Sequence, residues 1–386
     1  MESLLKRKHQ QEGSDVSKKF RPAEEHPSDV IRVGSRKSQL AVIQTKSIIK
    51  ALEDRNPELS FEMETMDTLG DKILDIALPK FGEKSLFTKD LEIALQEKRV
   101  DFLVHSLKDL PTTMPEGMAL ATIYKRDDPH DCVIFHPKHK GKKLADLPEK
   151  SVIGTSSLRR VAQLKRAYGH LEFKSIRGNL NTRLRKLEKD SEYDAIVLAK
   201  AGIDRMKWGD KVDQVLTEEE CLYAIGQGAM AVEVRSDDKY TSSLLGQLSD
   251  IPSLLTCLAE RTFMRVLNGG CSTPVGCYAK LGDNELSLHG VVLNEDGSIC
   301  LEHTLKEKIK TNIPTVEGVE NSFEMSKSGV FVDSRYMDEL IKAEKLGEDL
   351  ALALKELGAD EVLRDVRANL PKVTNIQIPT SGILKL

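Results

Sequence analysis

Arginines gather at three places in this sequence where a strand should give way to a helix, and the chemistry of that arrangement is recognition of carboxylate or phosphate. Thr155-Ser156-Ser157-Leu158-Arg159-Arg160 follows the apolar run Val152-Ile153-Gly154. Arg177-Gly178-Asn179 follows the strand Phe173 to Ile176 and leads into a helix, capped by Asn181 or Thr182, that carries Arg183 and Arg185 near its start. The third place is Ile31-Arg32-Val33-Gly34-Ser35-Arg36-Lys37-Ser38. A cation in the first helical turn opposes the positive end of the helix dipole, costing about 0.3 to 1 kcal/mol, unless an anion sits beside it. Backbone N–H groups, hydroxyls and guanidinium forks converging there form an anion site. Any one of these arginines reads equally well as solvated or paired with Asp or Glu. Three junctions sharing one pattern point to a ligand with several negative charges.

Two further residues could do chemistry. In His105-Ser106-Leu107-Lys108-Asp109-Leu110-Pro111, Asp109 stands beside a cation at the end of the apolar strand Phe102 to His105. Strand ends of this kind carry the ligand in doubly wound sheets; the plainer role is a turn cap before Pro111. In Asn268-Gly269-Gly270-Cys271-Ser272-Thr273-Pro274, the thiol occupies a corner poor in side chains, where a bulky group could be attached to sulfur. A lone cysteine is by default a small buried hydrophobe.

The elements that must position these residues alternate. A strand at Ile31 to Gly34, a helix at Gln39 to Leu52 and a strand at Phe61 to Met66 come first; a loop from Asp67 to Ser85, a helix from Thr88 to Lys98 and a strand from Asp101 to His105 follow. A second such run fills 127–224 and includes the strand Ala195 to Ala199, and the phrases GSRKSQLAVIQ and GTSSLRRVAQL open a helix in each. Alternation of this kind predicts doubly wound α/β sheets that bind beyond the carboxyl ends of their strands. GQGAMAVEVR after Ile225 reads as a hinge and a strand. From Ser253 a helix to Leu267 precedes strands at 275–281, 286–293 and 299–304, joined by Gly282-Asp283-Asn284 and Asn294-Glu295-Asp296-Gly297, an antiparallel meander. Residues 306–335 read as a long loop, and helices at 337–357 and 360–368 complete the pattern.

Composition narrows the function classes. A chain of 386 residues with 40% hydrophobic and 31% charged residues is an ordinary water-soluble composition with room for two or three domains. Lys plus Arg number 57 against 61 Asp plus Glu, so the net charge of −4 and the 5% aromatic content argue against a nucleic-acid binder. No apolar run approaches the roughly 20 residues that span a bilayer. Six cysteines without a C-x-x-C pair suit a reducing compartment, free thiols and no structural zinc. Residues 1–28 have the composition of a disordered tail without a signal-peptide core. Lys6-Arg7-Lys8 and Lys18-Lys19 only loosely resemble a split nuclear-import signal, so a cytosolic protein is expected. A non-catalytic two-domain anion-binding protein would explain the arginines and the hinge. It would need neither Asp109 beside Lys108 nor the Gly-Gly-Cys corner.

HSLKDLP, GTSSLRR, IRGNLNTRL, GQGA and NGGCSTP, in this order and at these separations, resemble the porphobilinogen deaminases, also called hydroxymethylbilane synthases. The resemblance runs from about Ile31 to Leu370. It implies a transferase of haem biosynthesis that joins porphobilinogen units head to tail with loss of ammonia and frees the linear tetrapyrrole hydroxymethylbilane by hydrolysis. It also implies a dipyrromethane cofactor, two pyrrole units held by a thioether to Cys271; Cys277 is the other nearby thiol, and Cys271 is favoured because it follows the glycine pair. Carried over residue by residue, the catalytic aspartate is Asp109. The cofactor-binding residues are Lys108, Ser106, Thr155, Ser156, Arg159, Arg160, Arg183 and Gly178, and the substrate-binding residues are Arg36, Ser38, Arg177, Arg205 and Gln44, with no metal. For Ser38, Ser106, Thr155 and Ser156, capping is the alternative role. Each pyrrole ring bears an acetate and a propionate, so a growing chain accumulates carboxylates that the arginines would neutralise. The implied architecture is two doubly wound domains of periplasmic-binding-protein type around a cleft, 29–126 with 226–249 and 127–225, plus an α+β domain with a three-stranded antiparallel sheet at 250–386. The implied partner is the small molecule porphobilinogen, bound by a monomer without nucleic acid or membrane. Residues 306–335 resemble the insertion of animal members only in position.

Overall fold

The computed structural model describes residues 30–68, 88–189, 192–270, 272–314 and 322–369, with two short strands at 376–377 and 383–384. The expected N-terminal tail, most of the loop from Asp67 to Ser85, Cys271 and most of the C-terminal end lie outside the described residues.

The first sheet takes β1 (Val30–Arg36), β2 (Ser60–Met66), β3 (Phe102–Ser106), β4 (Met118–Tyr124) and, from far along the chain, β10 (Met230–Arg235), in the order β2-β1-β3-β10-β4. β1 is parallel to β2 and β3, whereas β10 is antiparallel to β3 and β4. β3 is apolar almost throughout because both its faces are covered, while β2, on the edge, alternates half-buried with exposed residues. Helix α1 (Gln39–Glu53), capped by Ser38, lays Ile48 and Leu52 on the core formed by Ile31, Val33, Phe102 and Val232. Helix α2 (Lys89–Gln96) covers the other face with Leu91 and Leu95 against Leu103.

The second sheet repeats the scheme. Its strands are β5 (Asp131–Phe135), β6 (Val152–Gly154), β7 (Glu172–Lys174), β8 (Ala195–Ala199) and β9 (Gln214–Val215), in the order β7-β6-β8-β5-β9. β6 is parallel to β7 and β8, and β5 is antiparallel to β8 and β9. β1 and β6 thus hold equivalent places, and the sequence echo between them has a physical basis in their glycines. A Cβ on Gly34 would stand 2.5 Å from Leu103 Cδ2, and one on Gly154 would stand 2.9 Å from Ile196 Cγ2 and Tyr193 Cδ1. After β6 comes α3 (Leu158–Ala167), after β7 α4 (Leu180–Lys189), and after β8 α5 (Lys200–Arg205). The cap of α4 differs from the expectation of Asn181 or Thr182: the helix starts at Leu180, and Asn179 Oδ1 accepts from Thr182 N at 2.9 Å.

Two crossovers join the sheets, 125–130 on the way out and 216–229 on the return, and a third unit holds both. Helix α6 (Lys239–Gly246) lays Leu244 and Leu245 on the first sheet's core and leads into the third unit's α7 (Ile251–Val266), whose fully buried Glu260 accepts from Arg126 Nη1 at 2.6 Å and Nη2 at 3.0 Å in the first crossover. Its Oε2 also accepts from Gly226 N at 2.8 Å in the second. β11 (Val275–Leu281), β12 (Glu285–Leu293) and β13 (Cys300–Lys308) form the antiparallel meander. Helices α7, α8 (Met337–Glu356) and α9 (Ala359–Asn369) close over it around Phe263, Leu288, Leu346 and Leu363. The molecule is therefore two doubly wound α/β units around a cleft with a smaller α+β unit against them.

The long loop expected at 306–335 is corrected by the structure. β13 continues to Lys308, and β14 (Phe323–Met325) pairs with β15 (Phe331–Asp333) as a hairpin. Buried Val330 and Val332 dock this hairpin beside β4, with Leu120 N donating to Gly329 O at 2.8 Å. Three-residue strands are too short to leave a period-two signal. Among the described residues no helix is long and apolar enough to cross a membrane.

Candidate active site

A cavity of about 280 Å³ opens between the two α/β sheets. From the first unit it is lined by Arg36, Ser38, Ser106, Lys108 and Asp109, at the carboxyl ends of β1 and β3. From the second it is lined by Arg160, Arg177, Gly178, Arg183 and Arg205, at the starts of α3 and α4 and the end of α5. The two sides meet where Asn181 Nδ2 donates to Gln39 Oε1 at 2.9 Å.

Local sequence explains these placements. β3 ends at Ser106, and a single helical turn, Leu107–Asp109, buries Leu107 while turning Lys108 and the exposed Asp109 toward the cleft. Gly178 adopts φ +114°, a left-handed value that suits glycine, so the chain can swing from β7 into α4 and present Arg177. Arg183 Nε donates to the Gly178 carbonyl at 2.8 Å, fixing the root of its guanidinium. Arg205 is held by Asp127 at 2.8 Å and the Gly228 carbonyl at 2.6 Å. Gln44 and Ser106 are joined at 2.9 Å, and Gln44 borders a smaller pocket of about 60 Å³ that also reaches Asp109.

Arg159 and Arg160 do fall in the first turn of α3, but the anion beside them is the chain's own Asp131. Arg159 Nη1 reaches Asp131 Oδ2 at 2.8 Å and also donates to the Leu222 carbonyl; Arg160 Nη2 reaches Asp131 Oδ1 at 2.7 Å and its Nη1 reaches the Val197 carbonyl at 2.8 Å. Arg160 still borders the cavity; Arg159 does not. Thr155 and Ser156 are likewise outside the lining. Thr155 Oγ1 accepts from Ser157 N at 3.3 Å, a turn-forming bond, and Ser156 Oγ donates to the Ile176 carbonyl at 2.8 Å, tying the start of α3 to the segment after β7. Ser38 lines the cavity and also accepts from Ala41 N at 3.4 Å as the cap of α1.

Charge in the cleft is strongly one-sided. Burial lowers the Lys108 ammonium to about 8, with Asp109 and Asp131 opposing and Arg160 and Arg159 reinforcing the shift. Burial, then Arg160 and Arg177, lower Arg183 to about 10. Burial alone would raise the Asp131 carboxyl, but Arg159 and Arg160 hold it well below the ordinary carboxylate range. Crowded cations of this kind are stabilised by an incoming polyanion, and the exposed Asp109 sets one carboxylate among them.

Sequence reasoning missed two residues. Asp131 reads as the first residue of a buried strand, and its role needs knowledge of what packs across from it. Gln227 sits inside the GQGA phrase, where the glycines drew attention; it is buried, with Nε2 on Asp131 Oδ1 at 2.8 Å and Oε1 accepting from Lys108 Nζ at 3.3 Å.

Residues 31–243 match the family model described as porphobilinogen deaminase, dipyromethane cofactor binding domain, and residues 254–356 match that of the porphobilinogen deaminase C-terminal domain. The chain belongs to the porphobilinogen deaminase family. It is 44% identical over 342 residues to the porphobilinogen deaminase of Nostoc sp., covering 89% of this chain and 96% of that protein. It is 46% identical over 282 residues to that of Dictyostelium discoideum, covering 71% of this chain and 87% of that one. The Gloeobacter violaceus protein is 50% identical over 272 residues, 70% of this chain and 83% of that one.

Membership brings the dipyrromethane cofactor with it, and the residues fit such a group. The cleft lies within the cofactor-binding match, and its cations suit the carboxylates of two pyrrole rings. The corner before Cys271 is tied by Gly270 N donating to Thr273 Oγ1 at 3.0 Å and Thr273 N donating to the Gly270 carbonyl at 3.1 Å. Cys277, by contrast, is fully buried in the third unit's core, and burial, then Glu260, push its thiol well above the ordinary range.

Proposed function

We propose that this enzyme is a hydroxymethylbilane synthase, a transferase that condenses four porphobilinogen units head to tail, releases ammonia at each step and frees hydroxymethylbilane by hydrolysis. What carries the reading is the position of Asp109: one exposed carboxylate among Lys108, Arg160, Arg177 and Arg183 in the cleft of a family member. When bound through Cys271, the dipyrromethane supplies the free α-carbon to which the first substrate ring is joined. Lys108, Arg36, Arg177 and Arg183 hold the acetate and propionate groups of the rings, replacing the water those carboxylates lose. Asp109 stabilises the positive charge on the substrate's pyrrole nitrogen as ammonia departs, and accepts the proton lost when the new carbon–carbon bond forms. The cleft walls orient successive rings so that each reaction behaves as an intramolecular one. Intact mass tests the whole reading: purified protein should carry an added mass equal to two pyrrole units, and incubation with porphobilinogen should add one further ring at a time. An unmodified chain that binds polyanions without turning over porphobilinogen would select an anion-binding protein instead.

Two expected results separate binding from folding. Arg177→Gln should lower turnover and make partly elongated enzyme accumulate, with the melting temperature nearly unchanged. Arg159→Gln should behave differently, because it strips a buried partner from Asp131: a melting temperature lower by several degrees is expected, consistent with about 3 kcal/mol or more for breaking a buried pair. Differential scanning calorimetry with gel resolution of the intermediates distinguishes the two; equal melting temperatures would contradict the assignment of Arg159 to the Asp131 cluster.

The second result concerns pH. Lys108 loses its proton as pH rises through about 8, below the usual lysine range, so its attraction for a substrate carboxylate disappears in that direction. kcat/KM, which reports the resting enzyme, should therefore fall on the alkaline side, at a midpoint that ring carboxylates beside the ammonium move upward from about 8. Lys108→Met should give a low kcat/KM without this alkaline fall. A parental profile flat across that range would remove Lys108 from carboxylate binding.

A further inference from the structure

Asp131 has no part in the mechanism above, yet it is heavily engaged beside the cleft. It opens β5, is fully buried, and accepts from Arg159 at Oδ2 (2.8 Å) and from both Arg160 (2.7 Å) and Gln227 (2.8 Å) at Oδ1. Gln227, on the returning crossover, passes the connection on: its Oε1 accepts from Lys108 Nζ at 3.3 Å, and its Nε2 also donates to the Pro129 carbonyl at 2.7 Å on the outgoing crossover. One buried carboxylate thus ties a cation of the second unit, Arg160, to a cation of the first, Lys108, through the two segments that connect the units. Burying a carboxylate to neutralise Arg159 alone would require none of the bonds that lead to Lys108. The outward bonds end on two cations that both line the cavity, one from each unit.

We propose that Asp131 is a positioning residue for the reaction, setting the separation and the charge of Arg160 and Lys108 so that both hold carboxylates of the same pyrrole chain. The proposal rests on the reading of Lys108 and Arg160 as carboxylate holders. Its distinctive consequence is electrical. Lys108 is faced by two carboxylates, Asp109 and Asp131, and by two guanidinium groups, Arg160 and Arg159. Removing the charge of Asp131 leaves the guanidinium groups in excess, so Lys108 should give up its proton at lower pH.

The test uses full-length holoenzyme with Asp131→Asn and, separately, Gln227→Met. Gln227→Met leaves both arginine pairs on Asp131 and removes the bonds that Gln227 makes to Lys108, Asp131 and the Pro129 carbonyl. Acetic anhydride labels the unprotonated amine, so labelling over a pH series, read on the Lys108 peptide by mass spectrometry, gives the midpoint for Lys108 whether or not the protein is active. In Asp131→Asn that midpoint should lie about one pH unit below the parent's. KM for porphobilinogen should rise by about tenfold with a much smaller change in kcat. Gln227→Met should move both quantities the same way by less, and it decides the matter if Asp131→Asn does not fold. A purely architectural Asp131 would lower the melting temperature and leave the Lys108 midpoint unmoved, which overturns the proposal while the proposed function stands. A shifted midpoint with unchanged KM would instead overturn the reading of Lys108 as a carboxylate holder, and the positioning role with it.

Discussion

Asp109→Asn, in protein already loaded with its cofactor, is expected to lower turnover by about 100-fold or more with the fold intact. The side chain is exposed in the cleft, so exchanging it for an isosteric amide removes no buried contact. The turn it occupies is closed by Leu110 N donating to the Leu107 carbonyl at 3.1 Å, a backbone bond that the substitution leaves in place. What is lost is the negative charge. Departure of ammonia leaves a positive pyrrole nitrogen amid Lys108, Arg160 and Arg183, surroundings that would raise the barrier without a compensating anion. An amide offers neither that charge nor a site for the proton released when the next ring attacks. Asp109→Glu keeps the charge and misplaces it by a methylene, so partial activity is expected. Loading the protein beforehand keeps a defect in cofactor assembly from being read as a defect in turnover. Normal release of hydroxymethylbilane by loaded Asp109→Asn enzyme would return Asp109 to the role of a turn residue.

Cys271→Ser is expected to abolish cofactor attachment, and with it all turnover, in a protein that still folds. A serine hydroxyl is far less nucleophilic near neutral pH than a thiolate. Cys271 itself lies outside the described residues, but the glycine pair before it and the Thr273 turn after it are described. Cys277→Ser should keep the cofactor. Its sulfur is fully buried against the third unit's core and its thiol is held protonated, so it offers neither the thiolate nor the room that two pyrrole rings require. Intact mass of both variants, followed by peptide mapping of the adduct, decides the point; an adduct on Cys277 would reverse the assignment.

The parts of the molecule that could be read in the sequence are those governed by neighbours along the chain. Continuous apolar runs such as Phe102 to Val104 announce covered strands, and Gly178 marks a turn. The first-turn arginines of α3 announce an anion, and an anion is there. Its identity could not be read, because Asp131 is about thirty residues upstream on another element and its pairing depends on the antiparallel placement of β5 beside β8. Gln227 was hidden for the same reason: a neutral residue acquires its role from Lys108 and Asp131, which the fold brings together from opposite sides. The hairpin of β14 and β15 escaped because its stability comes from docking Val330 and Val332 beside β4 and not from its own pattern. Arg159 shows the converse limit, since the same residue type at the same kind of junction can face inward to the protein or outward to the cleft.

The insertion of β10 between β3 and β4 has a consequence for the order in which the chain can mature during synthesis. Every strand of the second sheet lies between Asp131 and Val215, whereas the first sheet lacks an inner strand until Met230–Arg235 has been made. A nascent chain ending near residue 225 therefore holds all strands of the later-encoded sheet, while β3 and β4 of the earlier one stand apart with unpaired edges. Emergence from the ribosome and completion of the sheets run in opposite orders, and the interval between them is when β3 and β4 are most open to pairing with the wrong partner.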